Sequence, residues 1–299
     1  MAILSFNEMM HNARQGRYAV GYFESWNSDS LSAVAAAAEA MHSPVLLGFS
    51  GIYLPDPRRI VQEDFRALSA FGLEVCRNLS VPANLVFNES PYMEWVHAAM
   101  ESGFGLVMYT DEGLAFDEQI CRVKEITNAA HKISIAVEGE LFPLPGVSGD
   151  ISRIPDDLRL TDPESALQFV ESTQVDALAV NIGQAHLHGR EELRLDLERL
   201  DILARRLPVP LALHGASSVN RSDIKEAIQI GIQKINVGSQ LKQTYFEALR
   251  EAVLPVGKNY NPYEVIGSGK EQDILAKARL ALQQNVQDLI VLFGSAGRA

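Results

Sequence analysis

VPLALHG (209–215), RSDIKEAIQIGI (221–232) and KINVGS (234–239) decide how this chain is read. The first and last are short apolar runs of the length of a strand buried on both faces. Between them Ile224, Ala227, Ile228 and Ile232 share one face of a helix. Alternation of strand, helix and strand predicts a parallel sheet. The same alternation continues toward the N-terminus through YAVGYF (18–23), SPVLLGF (43–49), VPANLVF (81–87), FGLVMY (104–109), ISIAVEGE (133–140) and DALAVNIG (176–183). The runs lie roughly 20–45 residues apart, around the ~30 of a strand–helix–strand unit. Helices are expected at 30–41, where Asp29 or Ser30 is the candidate cap, at 91–102, and at 163–173 with Pro163 in the first turn. Eight units predict closure into a parallel (β/α)8 barrel, a single domain over 1–299. LKQTYFEALREAVL (241–254) and EQDILAKARLALQQNVQDLIVLF (271–293) exceed a minimal barrel. The C-terminal helical extension, about 255–299, is free to pack on a partner subunit. A doubly wound open sheet is the weaker reading, because no GxGxxG follows the first strand.

The 299 residues, 47% of them hydrophobic, suffice for a large core without disulfide staples. A net charge of −12 with no basic stripe excludes a nucleic-acid surface. Two cysteines, Cys76 and Cys121, without CxxC spacing fit a reducing compartment. The first residues carry no secretory pattern, and no apolar run reaches the ~20 residues of a membrane span. A cytoplasmic protein is expected, with no membrane partner.

Barrels of this kind place their active sites at the C-terminal ends of the strands. There the chain offers Asn88-Glu89-Ser90, Glu138-Gly139-Glu140, Gly183-Gln184-Ala185-His186, His214-Gly215-Ala216-Ser217-Ser218, and Asn236 with Gly238-Ser239. His186 and His214, just past neighbouring strands, are in register for a divalent metal site, with Glu89 and Glu140 as the available carboxylates. His11, His42, His97 and His131 fall in or beside helices and read as structural; His188 reads as a loop residue. The small residues at 215–218 and 238–239 read equally as tight turns or as an anion cradle at the N-terminus of a helix starting near Gln240.

With those residues in view, the chain resembles the class II, metal-dependent fructose-/tagatose-bisphosphate aldolase family. The likeness runs along nearly the whole chain. It is strongest in TDPESALQFVESTQVDALAVNIGQAH (161–186), PLALHGASS (210–218) and KINVGSQL (234–241). It is also clear in 18–31, 43–51 and FGSAGRA (293–299). The resemblance implies a zinc site in which His186 and His214 match two of the family's three histidines, and Glu140 a near-metal carboxylate. It implies phosphate contacts at Gly183, Gly215, Ala216, Ser217, Gly238 and Ser239, with Arg190 as the basic contact. Asn236 matches an asparagine that touches the ketose. A homo-oligomer, dimer or tetramer, is implied as well.

The departures cluster at the chemistry. The family's H-L-D-H at strand three reads Val86-Phe87-Asn88-Glu89 here. Asn88 replaces the acid/base aspartate, and an amide exchanges no proton at neutral pH. Glu89 replaces a metal histidine, and glutamate also ligates zinc; Mn2+ or Co2+ are alternatives on mixed N/O donors. The strand-four I-D-G-S-H becomes Tyr109-Thr110-Asp111-Glu112-Gly113. The acidic loop after strand five becomes Pro145-Gly146-Val147-Ser148-Gly149-Asp150, and the first-strand F-N-V-N-N becomes Phe23-Glu24-Ser25-Trp26-Asn27. The leading expectation is an aldolase that cleaves a phosphorylated ketose or keto-sugar acid by retro-aldol through a metal-stabilised enediolate. Its metal sits on Glu89, His186 and His214, and its proton shuttle is one of Glu24, Asp111, Glu138 or Glu140. Two rivals stand beside it: an enediolate-type isomerase or epimerase, and a non-catalytic sugar-phosphate-binding accessory homologue.

Overall fold

The computed structural model describes residues 3–146, 153–156, 158–187 and 192–299. Its eight strands are β1 (Val20–Ser25), β2 (Val45–Ser50), β3 (Ala83–Ser90), β4 (Leu106–Tyr109), β5 (Ala136–Glu140), β6 (Ala177–Ala179), β7 (Leu211–Leu213) and β8 (Ile232–Val237). All pair in parallel in chain order, and β8 pairs back onto β1 to close the barrel. Every strand predicted from an apolar run is present. The sheet is tight enough that Gly48 has no room for a side chain: a Cβ there would lie 1.9 Å from the Val86 carbonyl oxygen on β3.

The helices α1 (Phe6–Gly16), α2 (Ser28–Ala40), α3 (Phe65–Asn78), α4 (Met93–Glu101), α5 (Phe116–His131), α6 (Pro163–Thr173), α7 (Leu197–Arg206), α8 (Arg221–Ile230), α9 (Ser239–Val253), α10 (Pro262–Val265) and α11 (Ile274–Phe293) close two apolar layers. The outer layer lies between the strands and the surrounding helices, with Leu31, Leu47, Phe87, Val137, Phe169, Leu213 and Ile224 among its buried members. The inner layer fills the lower half of the barrel, where Val20, Tyr22, Leu46, Val86, Leu106, Ala136 and Ala177 meet α1 (Phe6–Gly16). That helix buries Phe6, Met9, Met10 and Ala13 and so plugs the N-terminal end. Its start is fixed by a capping box between Ser5 and Glu8.

One expectation is corrected. Helix α2 (Ser28–Ala40) is capped by Asn27, whose side chain accepts from the Ser30 amide, so Ser30 is the third helical residue and not the cap. The long C-terminal helix, α11 (Ile274–Phe293), packs on its own barrel, against α2, α9 (Ser239–Val253) and β1. It buries Ala278, Leu282, Val286, Leu289, Ile290 and Phe293, and Phe293 stacks on Phe23 of β1 with ring centroids 6.2 Å apart. Its buried face is used within the chain, while Leu280 and Val291 on the same helix are exposed. Among the described residues no helix is long and apolar enough to cross a membrane.

Candidate active site at the mouth of the barrel

Above the apolar plug the barrel interior turns polar and stays buried. Glu138, Glu140, His214, Lys234, Asn88, Glu89 and Asn236 are all under 9% exposed. Alternation along each strand explains which residues arrive here: Glu138 and Glu140 on β5, and Lys234 and Asn236 on β8, are two apart and share the inward face. Glu89 reaches it differently. The β3–β4 register shifts between Phe87 and Ser90, and Glu89 has φ +53°, a left-handed conformation that costs an ordinary residue about 1–3 kcal/mol. The bulge re-aims the carboxylate into the mouth.

One side-chain atom each of Glu89, Glu140 and His214 lies within 4.8 Å of the others, a spacing a single cation can span. Around them the hydrogen bonds form one connected set. The His214 ring nitrogens stand 2.7 Å from Glu138 Oε1 and 3.3 Å from Glu89 Oε1. Lys234 Nζ lies 2.9 Å from Glu138 Oε2 and donates to Asn236 Oδ1 at 2.6 Å. Asn236 Nδ2 donates to Asn88 Oδ1 at 3.2 Å, and Asn88 Nδ2 donates to Glu89 Oε2 at 2.5 Å. Thr110, at the end of β4, bonds Glu140 Oε1 at 2.5 Å.

The charges balance. Burial pushes the Glu89 carboxyl up, but the His214 imidazolium more than offsets it and holds it below the usual range. Burial likewise opposes the Glu138 charge, and Lys234 with His214 overcomes it. Burial and then the Glu89 charge push Glu140 up to about 8. Burial lowers His214, yet Glu89 and Glu138 together raise it to about 9. At neutral pH two carboxylates thus face two cations, and Glu140 keeps its proton.

Above this cluster a cavity of about 260 Å³ opens to solvent, lined by Tyr22, Glu24, Ser50, Tyr53, Asn88, Glu89, His186, His214, Gly215, Ser217, Asn236, Gly238, Ser239 and Lys242. Gly215 has φ +65°, the turn that lets the chain leave β7 directly after His214. Lys242, on the first turn of α9, ion-pairs with Glu24 at the end of β1 and lies 4.3 Å from the centre of the Tyr53 ring. The Glu24 carboxylate comes within 3.1 Å of where a Cβ on Gly238 would stand.

Of the residues singled out in sequence, Glu89, Glu140 and His214 converge, and Asn88 and Asn236 join their hydrogen-bond set. His186 sits on the cavity wall and outside that three-atom convergence. Gly215, Ser217, Gly238 and Ser239 line the cavity. Ala216, in a 3-10 turn over Ala216–Ser218, and Gly183, whose amide donates to Asn181 Oδ1, do not. Arg190, His188 and the 147–150 stretch lie outside the described residues. Asp111 closes its own turn by accepting from the Gly113 amide and is not among the cavity-lining residues. Lys234, Tyr22 and Lys242 were not picked out in sequence. The available signal was a lysine inside a strand, between Ile232 and Ile235, since a lysine within a buried strand must be paired inside.

The model of the fructose-bisphosphate aldolase class-II family matches residues 4–298. A sulfofructosephosphate aldolase of Alkalicoccus urumqiensis is 29% identical over 100% of this chain and 99% of its own. The crystal structure of the YdjI aldolase of Escherichia coli K12 superposes with a TM-score of 0.81 at 28% identity, covering 99% of both chains. A fructose-bisphosphate aldolase of Campylobacter jejuni, at 18% identity and TM-score 0.80 over 100% of this chain and 96% of its own, shares the fold. A closed barrel with buried carboxylates and an imidazole at its mouth, matched end to end by one family's pattern, makes this chain a member of the class-II fructose-bisphosphate aldolases, a family of carbon–carbon lyases.

Proposed function

We propose that the protein is a metal-dependent aldolase that cleaves a phosphorylated ketose between C3 and C4. The observation that carries the reading is the buried convergence of Glu89, Glu140 and His214 under an open polar cavity. Two carboxylates and an imidazole suit zinc, and the same mixed donors admit manganese or cobalt. Glu89, Glu140 and His214 would hold the ion, with His186 on the adjoining wall. A bound divalent cation supplies a Lewis acid that polarises the ketose carbonyl and offsets the negative charge that develops as the bond breaks.

The chain's own residues account for the remainder. Glu138, bonded to one ring nitrogen of His214, fixes the ring and leaves the nitrogen facing Glu89 for coordination. The amides and hydroxyls of Gly215, Ser217, Gly238 and Ser239, at the N-terminus of α9, form the phosphate cradle, with Lys242 as its cation. Asn88 holds position through Glu89 and Asn236 and exchanges no proton. Glu138 is locked between Lys234 and His214. Glu24 is the carboxylate that remains in contact with the cavity, and we assign it the C4 hydroxyl proton.

The relative from Alkalicoccus urumqiensis acts, by its name, on a sulfonated sugar phosphate, which puts ketose 1-phosphates with an anionic far end among the first substrates to try. The two free cysteines, Cys76 buried and Cys121 exposed, support a cytoplasmic location. Exposed Phe246, Leu254, Tyr263 and Ile266 are the apolar side chains we assign to a homo-oligomer contact. The return of α11 onto the barrel supports a single domain over 1–299.

The test pairs elemental analysis of the purified protein and its Glu89→Ala and His214→Ala variants with a cleavage screen of ketose 1-phosphates. About one transition ion per chain, lost in both variants, with release of a three-carbon ketose phosphate, is the expected result. Stoichiometric metal and ketose-phosphate binding without cleavage would instead favour an accessory binding protein, and absence of metal after incubation with zinc would sink the proposal.

A further inference from the structure

Tyr22 is 1% exposed, and its hydroxyl makes no hydrogen bond among the described residues. A buried hydroxyl without a partner is costly and uncommon in a native protein. This one belongs to a residue that lines the candidate active-site cavity together with Asn88, Glu89, His214 and Asn236. The ring packs on the apolar plug beside Val20 and Leu46, and Lys234 Nζ stands 5.2 Å from its centre. Tyr22 is also the register partner of Asn236 on β8. It therefore sits level with Asn236, one inward-facing position above Lys234 and below the loops at 215–217 and 238–239.

We propose that the Tyr22 hydroxyl is a substrate-contacting donor whose partner is an oxygen on the carbon skeleton of the ketose, an inference that rests on the aldolase reading above. Depth distinguishes skeleton from phosphate. Tyr22 pairs with Asn236 on β8, two residues before Gly238, so it lies roughly 7 Å below the cradle at about 3.3 Å per residue, and the cradle residues lie beyond the ends of β7 and β8. The hydroxyl also stays a donor. Burial, then the charges of Glu24, Glu89 and Glu138, push the phenol well above its ordinary value. It carries its proton throughout the working range, and it donates that proton to none of those three carboxylates. A neutral donor aimed at a substrate oxygen strengthens its bond as that oxygen gains negative charge.

The experiment measures calorimetric binding of two probes, dihydroxyacetone phosphate and inorganic phosphate, to the zinc-loaded wild type, Tyr22→Phe and a control Tyr18→Phe, and follows the melting of each metal-free protein. Dihydroxyacetone phosphate is the smallest ketose phosphate, and it is the fragment that C3–C4 cleavage of a ketose 1-phosphate leaves. Loss of one buried hydrogen bond predicts about tenfold weaker binding of dihydroxyacetone phosphate to Tyr22→Phe. Inorganic phosphate affinity should be unchanged, Tyr18→Phe should bind as wild type does, and the Tyr22→Phe melting temperature should be equal or higher because an unpaired hydroxyl has been removed. Equal affinity of wild type and Tyr22→Phe for dihydroxyacetone phosphate overturns the assignment of Tyr22 alone. So does a parallel loss for both probes, which would move Tyr22 to the phosphate cradle, or a lowered melting temperature, which would make the hydroxyl structural. Failure of the wild type to bind dihydroxyacetone phosphate at all removes the aldolase reading, and the role of Tyr22 falls with it.

Discussion

Metal binding should release about two protons per chain at pH 7. In the metal-free protein the buried cluster is neutral: Glu89 and Glu138 are ionised, His214 and Lys234 are cations, and Glu140 is protonated. An added charge of +2 among groups this deeply buried is met mostly by the local side chains. The two groups able to answer are the imidazolium, with its pKa near 9, and the Glu140 carboxyl, near 8. Both must lose a proton to ligate. The sign follows: each proton displaced makes the apparent affinity rise about tenfold per pH unit below that group's pKa. Affinity should climb roughly 100-fold per unit between pH 6 and 8, roughly tenfold between 8 and 9, and level off above. Zinc titrations in buffers of different ionisation enthalpy measure the protons directly. A release below about one proton, or an affinity that changes less than about tenfold per unit over pH 6–8, would refute the charge assignment. Glu140→Gln should reduce the release to about one proton and flatten the low-pH slope by the same step.

Two further substitutions test the scaffold beneath the site. Lys234→Met leaves two buried carboxylates facing one cation and should cost about 3–5 kcal/mol in denaturant unfolding, whereas Lys234→Met combined with Glu138→Leu should recover most of it; a single variant within about 1 kcal/mol of wild type would contradict the pairing. Gly48→Ala forces a methyl into the Val86 carbonyl across β2 and β3 and should abolish soluble expression, so a well-folded Gly48→Ala would show that the sheet spacing is not as tight as described.

The sequence by itself determined the barrel, because its signals are local. Eight apolar runs of strand length, each followed by a segment with helical spacing, leave a parallel closed sheet as the consistent arrangement, and strand-end residues could be read directly off those runs. Glu89, Glu140, His214, Asn88 and Asn236 could be picked out for that reason, and they meet at the mouth of the barrel; the family's pattern supplied the chemistry expected of them. What tertiary structure decided is everything that depends on which side chains share a volume. The ion pair of Lys234 with Glu138 joins β8 to β5, 96 residues apart, and neither residue announces the other. Glu89 reaches the mouth through a backbone bulge that propensity does not encode. The docking of α11 on α2, α9 and β1 was not legible, because an amphipathic helix records that it will be buried but not against what. Tyr22 reads in sequence as one more aromatic in a strand, and only the closed barrel shows it packed in the core against the cavity with its buried hydroxyl unpaired.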